Sequence, residues 1–161
     1  MKFGTTFEID IAKLCCMVAT SNEQSSLPNN SLYGGSSQFI YTVQGSATSV
    51  ANGISATYTV GEITDTSSWR GHESHGSAGP DGVVWVSINP YDEGTVQYQL
   101  MNGPMNITHT GASEKTVFLG LKGSPTANGK TIGELAFCKI AEGKEVELNV
   151  PEGSVGLLLW K

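Results

Sequence analysis

The segment Lys144–Val150, with the sequence KEVELNV, alternates polar and apolar residues from Glu145 onward. Successive side chains of a β-strand point to opposite faces of a sheet, so Val146, Leu148 and Val150 share one face. Burial of that face accounts for the alternation. The segment therefore predicts a half-buried strand.

The following segment differs because both of its faces are apolar. Residues 154–160 place Val155, Leu157 and Leu159 on one face and Leu158 and Trp160 on the other. Leaving either face in water would keep several large apolar side chains from being buried. The pattern predicts a strand that lies between two packed layers or against another subunit. We predict that these five residues contribute to an interface in a homo-oligomer.

Strand patterns and turn signals recur along the whole chain. They predict about ten strands, which is typical of an all-β fold built as an antiparallel two-sheet sandwich, most simply a jelly roll. With 161 residues, the chain is expected to form a single domain over residues 1–161. Stretches near 21–37 and 65–82 predict long loops. Residues 12–18 fit a short helical turn as well as a strand.

The composition narrows the classes of partner. Charged residues make up only 15% of the chain, and the net charge is −6 without a basic run. Nucleic-acid phosphates are bound by clustered Lys and Arg, so we expect no nucleic-acid partner. We also expect no membrane span and no signal peptide, because the apolar stretches are too short. The three cysteines, Cys15, Cys16 and Cys138, do not have the spacing of a disulfide framework, which predicts synthesis in the cytoplasm.

The densest group of chemically versatile residues lies in the second predicted loop and just beyond it. An aromatic face beside planar polar groups is typical of a sugar-binding site, and loops carry binding sites in sandwiches. The same residue types are enriched at protein interfaces. The candidate binding residues are Trp69, Arg70, His72, Glu73, His75, Asp81 and Tyr91.

Two other motifs have simpler explanations. The spacing of His72 and His75 can place two imidazoles on one metal ion, with Glu73 or His109 as a further ligand, but a zinc site needs three or four ligands. A solvated polar loop explains the histidines, and we predict no metal and no other cofactor. The segment Gly123–Thr131 has five residues between its glycines where a phosphate-binding loop has four. We interpret it as a hairpin turn.

Catalysis would need a nucleophile beside a base, or paired carboxylates, and the sequence shows neither pattern. The cysteines lie in apolar or strand-like stretches, which predicts inert thiols. We therefore predict that the protein is not an enzyme.

The combination of an all-β chain, an apolar strand and a polar, weakly charged surface suggests a structural component of a larger particle. The leading hypothesis is an assembly protein of a bacteriophage or viral particle, such as a capsid, decoration, spike or tail component located in the virion. Its expected partners are further copies of itself, other virion proteins and a host-surface glycan. The alternative is a lectin-like carbohydrate-binding module.

Overall fold

The computed structural model describes residues 6–19, 24–25, 37–51, 53–69, 74–91, 94–111 and 115–161. These residues form antiparallel β-sheets, with a single 3-10 turn at Ser67–Trp69 and no α-helix. Within the same ranges, no helix has the length and hydropathy needed to cross a membrane. The strands are β1 (Thr6–Glu8), β2 (Ala12–Ala19), β3 (Gln24–Ser25), β4 (Phe39–Ala51), β5 (Ile54–Thr59), β6 (Ile63–Asp65), β7 (Ser74–Pro90), β8 (Gln97–Asn102), β9 (Met105–Thr110), β10 (Thr116–Lys122), β11 (Thr126–Ala127), β12 (Lys130–Thr131), β13 (Phe137–Ile140), β14 (Glu145–Val150) and β15 (Val155–Trp160).

The all-β, antiparallel sandwich predicted from the sequence is confirmed, but its strands are more numerous than predicted. Contacts divide the chain into two compact units. We call Thr95–Lys161 with Ile9–Ile11 the C-terminal unit, and Ala12–Gly94 with Lys2–Glu8 the N-terminal unit. A single domain over residues 1–161 stays a prediction.

The C-terminal unit is a sandwich of two four-stranded sheets. One sheet has the strand order β13-β10-β15-β8, and the other has the order β12-β11-β14-β9. Phe118 and Leu158 of the first sheet belong to the same buried cluster as Leu148 and Val150 of the second. The two inner faces therefore pack against each other, as in other sandwiches.

Strands β14 and β15 confirm the two patterns seen in the sequence. In β14, exposed and buried residues alternate, with Val146, Leu148 and Val150 buried. In β15, Leu157, Leu158 and Leu159 are all fully buried, and the strand lies between β10 and β8 in its sheet. The chain itself thus buries these three leucines without a second subunit. The homo-oligomeric interface stays a prediction.

The N-terminal unit is built on one seven-stranded sheet with the order β1-β2-β7-β4-β5, in which β3 also pairs with β7 and β6 with β4. Its two longest strands, β4 and β7, pair along most of their length, with register shifts on either side of Gly45. Gly45 and Gly82 both have positive φ, 75° and 76°, and their backbones touch. Bulges of this kind bend a strand. The bend lets Ile40 and Trp85 join one buried cluster with Ala47, Tyr58 and Ala78.

Two local predictions are wrong. Residues 12–18 form part of strand β2 and not a helical turn, because Ala12–Ala19 pairs with Val83–Pro90 over its whole length. Strand β7 begins at Ser74, so residues 74–82 do not belong to a loop. Their Gly, Ser and Pro content indicated a turn, but Ser74–Ala78 pairs with β4, and that pairing outweighs local preference. In the first predicted loop, Gln24–Ser25 forms strand β3 through its pairing with β7, and residues 21–23 and 26–36 lie outside the described residues.

Candidate functional site

A groove opens in the C-terminal unit beside the hairpin of β11 and β12. Asn128 and Gly129 form the hairpin turn with φ of 49° and 76°, and a two-residue type I′ turn requires positive φ at both positions. The hairpin predicted for residues 123–131 is thereby confirmed. The groove has a volume of about 490 Å³, within the ~300–1,000 Å³ range of small-molecule sites. Its lining consists of Ala127, Asn128, Lys130, Cys138, Lys139, Ile140, Ala141, Lys144, Glu145 and Val146.

The side chains at the groove differ in how firmly they are held. Asn128 is held by two hydrogen bonds to the backbone of Glu147. Its side-chain Oδ1 accepts from the Glu147 N–H at 2.9 Å, and its backbone N–H donates to the Glu147 carbonyl at 2.8 Å. The side-chain NH₂ of Asn128 remains as a donor. The Lys139 ammonium forms an ion pair with Asp10, with 3.6 Å between Nζ and Oδ1. The Lys144 side chain is exposed, but its backbone is held by hydrogen bonds to Ala141 and Gly111.

The floor of the groove is apolar. Ala127, Ile140 and Val146 are buried and belong to the sandwich core, and Cys138 packs against them. Burial raises the pKa of the Cys138 thiol, and this effect outweighs the opposing effects of a Phe118 backbone hydrogen bond and the Lys130 charge. The thiol is therefore neutral near pH 7 and a weak nucleophile.

His109 lies beside the groove floor. It is the cross-strand partner of Val146, so the two side chains share the inner face of their sheet. Its Nε2 atom is buried and has no hydrogen-bond partner within the described part of the chain.

The structure describes the side chains of only two of the seven site residues that were predicted from the sequence, Asp81 and Tyr91. Arg70, His72 and Glu73 lie outside the described residues. The backbone of Trp69 ends the 3-10 turn, and that of His75 pairs with Val50 in β4.

Asp81 and Tyr91 are both exposed, as a binding site requires. They flank the segment Val83–Pro90 that pairs with β2. An eight-residue strand is about 25 Å long. The two side chains therefore cannot contact one small ligand together, and their assignment as binding residues stays a prediction.

Sequence reasoning did not identify the groove. Its signal was present, because Lys130, Lys139 and Lys144 fall close together in a chain with only nine Lys and Arg residues and a net charge of −6. What the sequence did not reveal is that a hairpin turn and two strands bring these lysines around one opening.

Comparisons with known proteins identify the fold. No protein-family model matches the chain, and no curated protein matches it in sequence. HutD from Pseudomonas fluorescens is similar in structure with a TM-score of 0.63 and 10% identity, over 91% of this chain and 76% of HutD. A cupin 2 conserved barrel domain protein from Leptotrichia buccalis has a TM-score of 0.51 and 10% identity, over 99% of this chain and 90% of its own. The chain has a cupin-like jelly-roll fold.

A third similar structure is a bacterial pirin, YhhW from Escherichia coli, in complex with nickel(II). Its TM-score is 0.55 at 13% identity, over 99% of this chain and 83% of YhhW. In this chain, the described residues contain no group of three or more His, Cys, Asp or Glu that could hold a metal ion. The described donor set does not fit a metal.

The predicted viral function is wrong, as are the lectin-like alternative and the virion location. The structures that this chain resembles are bacterial cupin-like proteins. The error has a physical origin, because a strand that is apolar on both faces shows only that something covers each face, and other parts of the same chain can do so as well as a second subunit. Here Leu157, Leu158 and Leu159 are all fully buried within the chain.

Proposed function

We propose that the protein is a cupin-fold binding protein without catalytic activity, and that the groove of the C-terminal unit takes a small anion with a carboxylate or phosphate group. The observation that carries the proposal is the placement of three lysines around one opening. Lys130, Lys139 and Lys144 line the groove, and Glu145 is the only acidic residue in its lining. A positive groove in an acidic chain attracts small anions.

The geometry favours a ligand that is small and partly apolar. Ammonium groups supply the charge at the rim, while Ala127, Ile140 and Val146 offer an apolar floor. Asn128, held by its two hydrogen bonds to Glu147, supplies a fixed donor that can orient an acceptor oxygen. Such a combination of apolar walls with a few placed polar groups is typical of small-molecule sites.

The chemistry of the thiols supports binding without catalysis. Burial raises the pKa of Cys138 in the groove, and it raises the pKa of Cys16 in the N-terminal unit to about 11. A nucleophilic cysteine needs the opposite shift, because the thiolate is the reactive form.

Titration calorimetry with succinate, with inorganic phosphate and with neutral succinamide tests the proposal. We expect saturable binding of at least one anion, no binding of succinamide, and weaker binding at 1 M NaCl, where salt screens the lysines. The stronger anion identifies the preferred group. Equal heats for succinate and succinamide would contradict a site that recognises charge.

A pair of double variants supplies the control. Lys130→Gln with Lys144→Gln removes two charges from the groove, and we expect at least a tenfold loss of anion affinity. Lys13→Gln with Lys122→Gln removes two exposed charges that are not part of the lining, with the same change in net charge. Equal losses in both double variants would mean that the anion responds to overall charge and not to the groove.

A further inference from the structure

The bent sheet of the N-terminal unit buries several uncharged polar side chains. Thr42, Ser49, Tyr58 and Trp85 are each no more than 2% exposed. The Ser49 and Tyr58 hydroxyls form a 2.9 Å hydrogen bond with each other. By contrast, Thr42 Oγ1 and Trp85 Nε1 have no hydrogen-bond partner among the described residues. Buried polar groups in native proteins are nearly always paired, so these two atoms require an explanation.

The two residues that carry these atoms are neighbours. Thr42 and Trp85 are direct cross-strand partners on β4 and β7, so their side chains project from the same face. The N–H of Thr42 donates to the Glu62 carbonyl at 3.2 Å, and its carbonyl accepts from the Gly61 N–H at 2.8 Å. Both backbone groups of Thr42 therefore point away from β7. A cross-strand pair without mutual backbone hydrogen bonds is the kind in which side chains lie closest together.

The chemistry of the pair defines what it can hold. An indole N–H only donates, whereas a hydroxyl both donates and accepts, so a shared partner must carry an acceptor atom. Among the described residues, no buried side chain carries a charge, and an ion beside Trp85 would lose its hydration there without compensation. We infer that Thr42 and Trp85 together bind one uncharged oxygen atom, supplied by water or by a small hydroxylated molecule. This site is independent of the anion groove in the other unit.

Thermal unfolding of matched variants tests the inference. Thr42→Val removes the hydroxyl while keeping the shape, and we expect its melting temperature to fall by about 3 °C. Thr42→Ser keeps the hydroxyl and should lose less. Thr48→Val, an exposed position on the same strand, controls for the preference of valine for β-structure. If the hydroxyl has no partner, Thr42→Val will be as stable as wild type or more stable, and that result would overturn the inference.

The combination with Trp85→Phe shows whether the two residues share one partner. If they do, the double variant Thr42→Val with Trp85→Phe should lose less than the sum of the single variants, because the first substitution already releases the oxygen. Additive losses would overturn the shared site. Should Trp85→Phe fail to fold, the comparison of Thr42→Val with Thr42→Ser still decides whether the hydroxyl is paired.

The source of the oxygen is found by native mass spectrometry of the purified protein and of protein refolded from guanidinium in polyol-free buffer. A small molecule gives an added mass that refolding removes, and glycerol should then raise the melting temperature of the refolded protein in a saturable way. Water gives no added mass and the same melting temperature before and after refolding. Either result supports the site and names its occupant, provided that Thr42→Val is destabilised.

Discussion

The two units of this chain handle polar chemistry in opposite ways. The C-terminal unit places charged side chains at the rim of an open groove, where water keeps Lys130 and Lys144 solvated. The N-terminal unit buries hydroxyl and indole groups on one face of its bent sheet. None of its described buried side chains carries a charge. Burying a charge costs far more free energy than burying a hydroxyl that finds a partner. Exposure to water, more than the number of polar residues, therefore limits the chemistry that each unit can offer a ligand.

The largest effect is expected where the bend of the N-terminal unit is broken. In Gly45→Ala, the new Cβ would collide with the backbone carbonyl of Gly82, in addition to the strain of a positive φ. We expect a loss of about 3 kcal/mol or more in unfolding free energy. Gly53→Ala is the matched control, because Gly53 has the same φ of 75° but nothing within 4 Å of its Cβ. Chemical denaturation of both variants measures the difference, and equal losses would show that crowding at the bend is unimportant.

The second prediction concerns the sandwich core of the C-terminal unit. Leu158→Ala and Leu148→Ala each remove a fully buried side chain from the same cluster. We expect both to lower the unfolding free energy by about 3 kcal/mol. Light scattering behind a sizing column tests the interface prediction at the same time. Trp160 is the partly exposed member of the predicted interface, so a change of mass in Trp160→Ala, but not in Leu148→Ala, would show that β15 also contacts a second subunit.

The third prediction compares the two cysteine environments. Burial raises the pKa of Cys16 from 9.0 to about 11, so the folded state holds its proton after the unfolded state has lost it. The stabilisation is complete below pH 9 and is lost as the pH rises through 11. We expect roughly 2 to 3 kcal/mol of alkaline destabilisation from this group. Unfolding measured from pH 8 to 11 should show a shallower fall in Cys16→Ala than in wild type, and parallel curves would contradict the assignment.

The smallest effect is expected at the ion pair beside the groove. Asp10 and Lys139 are partly exposed, with 32% and 62% of their side chains accessible, so the pair contributes little to stability. Asp10→Asn should change the unfolding free energy by less than about 0.5 kcal/mol. The same substitution releases Lys139 from its partner and should strengthen anion binding in calorimetry. Unchanged binding would place Lys139 outside the site.

Local patterns predicted the strands well but did not indicate the groove or the buried Thr42–Trp85 pair. The alternation in β14 and the two apolar faces of β15 follow directly from burial, and Asn128–Gly129 predicted its turn because few residues accept positive φ. The start of β7 was not predictable, because Ser74–Ala78 has turn-forming residues and becomes a strand only through its pairing with β4.

The groove and the buried pair were also out of reach from the sequence. Lys130 and Lys144 come together only because a hairpin and two strands converge. Thr42 and Trp85 become partners only through pairing between distant strands. Function was misjudged for a related reason, because a strand that is buried on both faces does not distinguish a particle component from a cupin-like domain.

The position of β7 has a consequence for synthesis on the ribosome. This strand pairs with β2, β3 and β4, all of which precede it in the chain. Only hairpins such as β4 with β5 can form before β7 is made, while the partners of β2 and β3 are still missing. Pairing between distant segments is slow, and unpaired strands are prone to aggregate. The nascent chain therefore carries unprotected strand edges until Pro90 has left the exit tunnel, and this interval is when chaperones would matter most to it.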